Sequence, residues 1–240
     1  MDRRVAVVTG ANKGIGLEIA RQLAREGLAV FIGTRDEERG RAAAEKLRAE
    51  GLDARALPLD VTDDASVAVA AASVEKDAGR LDVLVNNAGI AIDDGPPSRV
   101  SIDALRRTYE TNVFGVVRTI QAMLPLLRRS DAGRIVNLSS GLGSLAQNSD
   151  ASWDYASVKF LAYNSSKTAL NMVTVQFAYE LRNTPIKINA ADPGYVATDM
   201  NRHQGVRTVE QGAATPVRLA LLPADGPTGG YFNDDGPLPW

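Results

Sequence analysis

Five short apolar runs, at positions 5–8, 29–32, 81–85, 135–138 and 186–191, carry Val, Ile, Leu and Ala with little alternation. A strand with one wet face alternates apolar and polar residues. Runs like these instead fit strands covered on both faces, as in a parallel sheet. Among the segments between them, 15–26, 37–50 and 64–77 are rich in Ala, Leu, Glu, Arg and Lys, which favour helix. Strands and helices of this size in alternation form βαβ units with right-handed crossovers. No Pro/Ser-rich linker, internal repeat or low-complexity segment divides the chain. The expected fold is α/β: one domain over 1–240, a doubly wound parallel sheet with helices on both faces. Stretches near 90–98, 141–155 and 194–208 are left as loops, where substrate contacts are expected.

Composition narrows the chemistry. Across 240 residues, 27 Lys+Arg stand against 29 Asp+Glu, a net charge of −2 with no basic block, which argues against a nucleic-acid partner. The absence of cysteine removes disulfides, thiolate zinc sites and Cys nucleophiles, and a single histidine, His203, leaves no His-clustered metal centre. His203 itself reads as a surface residue. No apolar run reaches the roughly 20 residues of a membrane helix, and the four apolar residues after Met1-Asp2-Arg3-Arg4 are too few for a signal peptide. The expectation is a soluble, cytoplasmic protein with neither metal nor membrane partner. Its chemistry must come from Ser, Tyr, Lys, Asn, Asp or a cofactor.

The first run is followed by Thr9-Gly10-Ala11-Asn12-Lys13-Gly14-Ile15-Gly16, which opens the first helix. Gly10 permits a tight turn, Gly14 lets the backbone approach a diphosphate, and Gly16 allows close helix–strand packing. The helix start offers free N–H groups and the positive end of its dipole. Three glycines at this spacing, at this junction, point to a Rossmann-type dinucleotide site more than to a merely glycine-rich turn.

From this motif onward the chain resembles the short-chain dehydrogenases/reductases. The resemblance runs through Asp60-Val61, Asn86-Asn87-Ala88-Gly89, Asn112, Ser139-Ser140, Tyr163-x-x-x-Lys167 and Pro193-Gly194, and so covers nearly the whole chain. The segment from Thr9 to Leu17 and Arg35-Asp36-x-x-Arg39-Gly40 are similar to the carbonyl reductase branch. The resemblance implies that the turn from Gly10 to Gly16, with Asn12, Lys13 and Ile15, holds the cofactor diphosphate. Asp60, with Val61, then meets the adenine and Asn87-Ala88-Gly89 lies along the adenosine ribose. Pro193-Gly194, Val196 and Thr198 bind the nicotinamide carboxamide. Taken alone, Asp60 would read as a strand-end turn residue and the Asn pair as a sheet-terminating loop.

A dinucleotide site that selects NAD usually has an acidic residue about 20 positions beyond the glycines. Thr34 stands there instead. Lys13, Arg35 and Arg39 offer cationic partners for a 2′-phosphate, so NADP is the expected cofactor. Asp36 is the opposing observation, and it reads as the N-cap of the next helix.

Tyr163 and Lys167 are four apart in an expected helix and so share a face. An ammonium beside a phenol favours the phenolate, so Lys167 is expected to lower the pKa of Tyr163. The family resemblance implies Tyr163 as general acid, Lys167 on the nicotinamide ribose, Ser140 polarising the carbonyl and Asn112 completing a water-linked proton relay. Tyr155 and Lys159 repeat the spacing and lie closer to the family's separation from Ser140. Tyr163 is preferred because Leu170, Val173, Phe177 and Leu181 form one helical stripe running on from it. It also lies 30 residues before Pro193, the family's usual separation, and length variation belongs in loops rather than packed helices. Ser140 is preferred to Ser139 by resemblance, strand alternation sending the two to opposite faces. The resulting expectation is an NADPH-dependent carbonyl reductase acting on a ketone or aldehyde, or the reverse alcohol oxidation. An NAD-linked alcohol dehydrogenase and a non-catalytic NADP sensor are the alternatives. The resemblance leaves both a homo-oligomer and a monomer open, because the lengthened 141–155 loop lies near the helix through which related chains assemble.

Overall fold

The computed structural model describes residues 3–93 and 95–240. Asp94, in the stretch near 90–98 where substrate contacts are expected, lies outside the described residues, as do Met1 and Asp2. The strands are β1 (Val5–Thr9), β2 (Ala29–Thr34), β3 (Ala54–Pro58), β4 (Val83–Asn86), β5 (Arg134–Leu138), β6 (Lys187–Ala191), β7 (Tyr231–Asn233) and β8 (Gly236–Pro237). They form one sheet in the order β3-β2-β1-β4-β5-β6-β7-β8, parallel throughout except for β7 against β8. The helices are α1 (Gly14–Arg25), α2 (Glu37–Ala49), α3 (Asp64–Ala78), α4 (Ile102–Tyr109), α5 (Gly115–Leu127), α6 (Leu145–Ser149), α7 (Leu161–Glu180) and α8 (Val209–Ala220).

The unalternating runs have the cause expected of them. Successive strand residues point to opposite faces, and both faces are covered. Ala6, Val8, Val30, Ile32 and Val85 pack with Ile19, Leu23, Leu47 and Val217 from α1, α2 and α8. Val5, Val7, Phe31, Leu84 and Ile135 pack on the other face with Val74, Ile120, Met123 and Leu170 from α3, α5 and α7. Each such aliphatic side chain contributes about 1.5–3 kcal/mol when fully buried.

Three features depart from the simple reading of apolar runs. Strand β3 is an edge strand whose middle residues are half-exposed, and Arg55 in it stacks over the ring of Phe31, 5.6 Å from its centroid. Strands β7 and β8 are only three and two residues long. Between α4 and α5 the chain makes a π-helical turn, Glu110–Phe114, in which the Gly115 N–H reaches the Glu110 carbonyl. Such turns concentrate at functional sites. Because the central sheet is parallel, Thr9, Asn86, Leu138 and Ala191 all end at one edge. The following residues of four loops converge there, at the carboxyl edge where open α/β sheets bind ligands.

Candidate active site

The glycine turn at this edge is built by close approach. Gly10 has φ +62° and Gly14 φ +57°, the left-handed region that L-residues avoid. A side chain at Gly16 would put its Cβ 2.4 Å from Asn87 Nδ2, because the Asn87 amide donates to the Thr9 and Gly10 carbonyls at 2.8 and 3.1 Å. The backbone N–H groups of Asn87 and Ala88 both donate to Thr9 Oγ1 at 3.0 Å. The turn and the 86–89 loop are thus one unit. Helix α1 starts without a side-chain cap, and a Cβ on Gly14 would meet only Thr198 Cγ2, at 3.7 Å. An uncapped helix start under an open glycine fits an anionic diphosphate.

The three expected phosphate cations differ in their partners. Lys13 pairs with Asp199 at 2.5 Å, joining the glycine turn to the loop after β6. Arg39 pairs with Asp36 at 3.1 Å. Asp36 also accepts from the Arg39 N–H as the N-cap of α2. Arg35 is exposed at the end of β2 and makes no ion pair among the described residues. Thr34 is buried. Asp60 accepts from the Thr62 N–H and hydroxyl at 2.9 and 2.7 Å, a local turn at the strand end. The neighbouring Val61 is buried against Gly115.

Across the sheet edge, the Ser140 hydroxyl stands near enough to the Tyr163 phenol to favour its ionised form. Ser139 donates instead to Asn171 Oδ1, further along the same helix, at 2.6 Å. Lys167 is 5% exposed; its Nζ donates to the Leu138 carbonyl at 2.7 Å and lies 5.6 Å from the Tyr163 ring centroid. A Cβ on Gly89 would be 3.6 Å from the same Nζ and 3.4 Å from Asn112 Oδ1, so this cluster abuts the 86–89 loop. Asn112, in the π turn, is fully buried. It accepts from Ile90 N–H at 2.8 Å and donates to the Ile90 carbonyl and Ser166 Oγ at 2.9 and 3.0 Å. Its amide is a brace between the 86–90 loop and α7.

The expected effect of Lys167 on Tyr163 is reversed by burial. Tyr163 is partly exposed, but protein crowds its phenol, and this desolvation pushes its pKa up to about 12; the Ser140 hydroxyl opposes and nearby Asp192 adds to the rise. Burial likewise brings Lys167 down to about 8, with Asp192 opposing. Loss of water is the dominant cause, so the phenol is held as the neutral acid.

The buried face of α7 runs through Ala162, Ser166, Lys167, Leu170, Asn171, Thr174 and Ala178. Of the expected stripe, Leu170 and Leu181 are buried while Val173 and Phe177 are half-buried. The reason is a polar seam: Asn86 donates to Asn137, and Asn137 donates to Thr174 at 2.9 Å. Tyr155 sits in a turn and Lys159 in the irregular stretch just before α7, so neither is on a helix face. Tyr155 is 40% exposed, and Lys159 donates to the Asn148 carbonyl.

Of the stretches expected as loops near the substrate, 141–155 instead holds a helical turn, Gly141–Gly143, and the short α6, and it meets the stretch after β6. Trp153 and Tyr155 pack edge-to-face at 5.6 Å, and Tyr155 reaches Tyr195 at 6.3 Å. Trp153 Cζ2 lies 3.3 Å from where a Gly141 Cβ would be, immediately beside Ser140. After β6, Gly194 has φ +73°, Val196 is buried with a bridge to Arg207, and Thr198 caps the turn Asp199–Asn201. Pro193, preceding Gly194, is half-buried.

Two residues of this region escape a reading of motifs. Asp93 accepts from the N–H groups of Ala162 and Tyr163 at 2.8 and 3.0 Å and so fixes the start of α7. The signal was available: Phe160 cannot cap, so the first N–H groups need acceptors from elsewhere. Asp192, just after β6, accepts from the Gly194 N–H at 2.9 Å, and its Oδ2 lies 3.3 Å from where a Gly141 Cβ would be. Nothing local marks it.

A doubly wound sheet with a glycine turn and a hydroxyl–phenol–ammonium cluster on one carboxyl edge defines an α/β oxidoreductase. Comparison with known proteins gives the family. The model described as short chain dehydrogenase matches residues 4–207, and the chain belongs to that family, on the side of its carbonyl reductase-like branch. It is 39% identical over 293 aligned positions to short-chain dehydrogenase/reductase 1 of Saponaria officinalis, covering 99% of this chain and 96% of the relative. It is 39% identical over 275 positions to carbonyl reductase [NADPH] 3 of Mus musculus, covering 99% and 98%. The solved structure of NADPH-bound carbonyl reductase from chicken fatty liver superposes with a TM-score of 0.87 at 30% identity, covering all of both chains. No helix of the described residues is long and apolar enough to cross a membrane.

Proposed function

We propose that this protein is an NADPH-dependent carbonyl reductase in which Tyr163 is the general acid. The observation that carries the reading is the Ser140–Tyr163 hydroxyl pair with the Lys167 ammonium beside it. The turn Gly10–Gly16, with Asn12, Lys13 and Ile15, would hold the diphosphate. Asp60, Val61, Asn87, Ala88 and Gly89 would hold the adenosine, and Pro193, Gly194, Val196 and Thr198 the carboxamide. When bound, the nicotinamide supplies a hydride to the carbonyl carbon or takes one from the alcohol. In reduction the Tyr163 O–H gives its proton to the carbonyl oxygen, and Ser140 donates a hydrogen bond to that oxygen. A phenol with its pKa pushed up to about 12 starts in the protonated form an acid requires. Lys167 binds the nicotinamide ribose, and Asn112 is a positioning residue that keeps the 86–90 loop against it.

The choice of NADPH rests on Arg35, because Lys13 and Arg39 already face carboxylates. It is supported by the relatives whose names carry NADPH. The test is consumption of NADPH and NADH with a varied carbonyl panel. The expected result is a higher kcat/KM with NADPH, narrowed or reversed by Arg35→Asp. Equal use of both cofactors by the unmodified protein would contradict it, and the NAD-linked alcohol dehydrogenase reading would replace it.

A further inference from the structure

Strand β5 ends at Leu138, and the Ser139 N–H still reaches the Ala191 carbonyl at 2.7 Å; beyond it the sheet gives way to the Gly141–Gly143 turn. Ser140 belongs to that turn. Its hydroxyl oxygen accepts from the Leu142 N–H at 3.3 Å, and its carbonyl accepts from the Gly143 N–H at 2.7 Å. The turn is held in its place by α7. The Gly143 carbonyl accepts from Asn171 Nδ2 at 3.3 Å and from Thr168 Oγ1 at 2.9 Å. Asn171 Oδ1 in turn accepts from the Ser139 hydroxyl at 2.6 Å. One buried amide, 4% exposed, therefore grips the chain on both sides of Ser140. Asn171 lies four residues beyond Lys167, so the two share a face of the helix that carries Tyr163. The fit is close: a Cβ on Gly143 would stand 2.7 Å from Lys167 Cβ and 2.8 Å from the Lys167 carbonyl carbon.

We propose, on the roles given above to Ser140, Tyr163 and Lys167, that Asn171 is a positioning residue that fixes the Ser140 hydroxyl relative to the other two. A buried amide is tolerated where both of its ends are hydrogen-bonded, and here both ends go to the segment around Ser140. An apolar side chain at 171 would supply neither bond. Thr174, the next polar residue on the same buried face, makes the contrast. It accepts from Asn137 within β5 at 2.9 Å and donates to the Leu170 carbonyl at 3.0 Å, so it fastens α7 to the strand rather than to the Ser140 turn. A hydroxyl displaced by a fraction of an ångström polarises a carbonyl less well in a protein that is still folded. Asn171 thus governs the rate of hydride transfer rather than the binding of cofactor.

The test is a double-mutant cycle on hydride transfer, read as single turnovers of bound NADPH with the most rapidly reduced ketone of the carbonyl panel, so that slow variants remain measurable. Asn171→Ala is expected to slow hydride transfer by about 10- to 100-fold with NADPH binding kept. In a Ser140→Ala background the same change should cost less than about threefold, because the hydroxyl it positions is gone. Thr174→Val, which removes a comparable buried bond, should lower Tm and leave the hydride-transfer rate near its original value. An equal fractional loss with and without the Ser140 hydroxyl would overturn the proposal and leave Asn171 as a packing residue, as would an unchanged rate in Asn171→Ala. Should Asn171→Ala not melt as a native fold, Ser139→Ala removes the Oδ1 bond alone and closes the same cycle with a smaller loss. Failure of the assigned roles shows separately, as undiminished hydride transfer in Tyr163→Phe or Ser140→Ala, and takes this inference with it.

Discussion

At the scale of single residues, the decisive quantity is loss of water. The four-residue spacing of Tyr163 and Lys167 is legible because a helix repeats on that period, and the preference for Tyr163 over Tyr155 follows from where the helix must run. The sign of the Tyr163 shift is not legible. Attraction between two side chains four apart depends on sequence, whereas desolvation depends on Leu138, Gly89 and Gly143 closing around Lys167 from distant parts of the chain. Asp192 is hidden for the same reason, since an Asp before Pro-Gly reads as a turn. The shift on Lys167 has a consequence for rate. Its ammonium is lost with a pKa of about 8 in the free protein, so kcat/KM for carbonyl reduction should fall along an alkaline limb near pH 8, read from a pH–rate profile. A profile flat to pH 9.5 would contradict the burial of a titrating Lys167.

At the scale of elements, α7 is positioned by neighbours more than by its own ends. Its first turn leans on Asp93, and its middle presses on Gly143, where a side chain would place its Cβ 2.7 Å from Lys167 Cβ. Thr168 Oγ1 and Asn171 Nδ2 donate to the Gly143 carbonyl, tying the 141–155 segment to the helix that carries the acid. Asp93→Ala leaves two N–H groups without acceptors and should cost about 1–2 kcal/mol, seen as a lower Tm. Because the freed turn contains Tyr163, kcat should fall by more than the loss of folded protein accounts for. An unchanged Tm and kcat would show that water replaces the carboxylate without loss. The long βαβ elements were legible from their apolar runs. The short β7, the half-exposed β3 and the π turn were not, because pairing to a neighbour rather than local composition makes them strand or turn.

At the scale of the whole molecule, the parallel sheet delivers four loops to one edge, and that much follows from the order of strands and helices. Which loop walls the pocket does not, because aromatic contacts between 141–155 and 194–208 depend on how both fold back. Trp153, Tyr155 and Tyr195 form one aromatic group beside Ser140. Trp153→Ala should therefore change relative kcat/KM among small and bulky ketones while NADPH affinity and Tm stay near their original values. A uniform loss of stability with substrate ranking preserved would make Trp153 a packing residue. The central claim, that Tyr163 is the proton donor of a carbonyl reductase, is tested most directly by carbonyl-dependent NADPH oxidation. The unmodified protein, Tyr163→Phe and Tyr155→Phe are measured side by side, with NADPH binding followed separately. The account predicts a fall of kcat by orders of magnitude in Tyr163→Phe with NADPH binding largely kept, and near-normal turnover in Tyr155→Phe. Normal turnover in Tyr163→Phe, with Tyr155→Phe inactive, would contradict it.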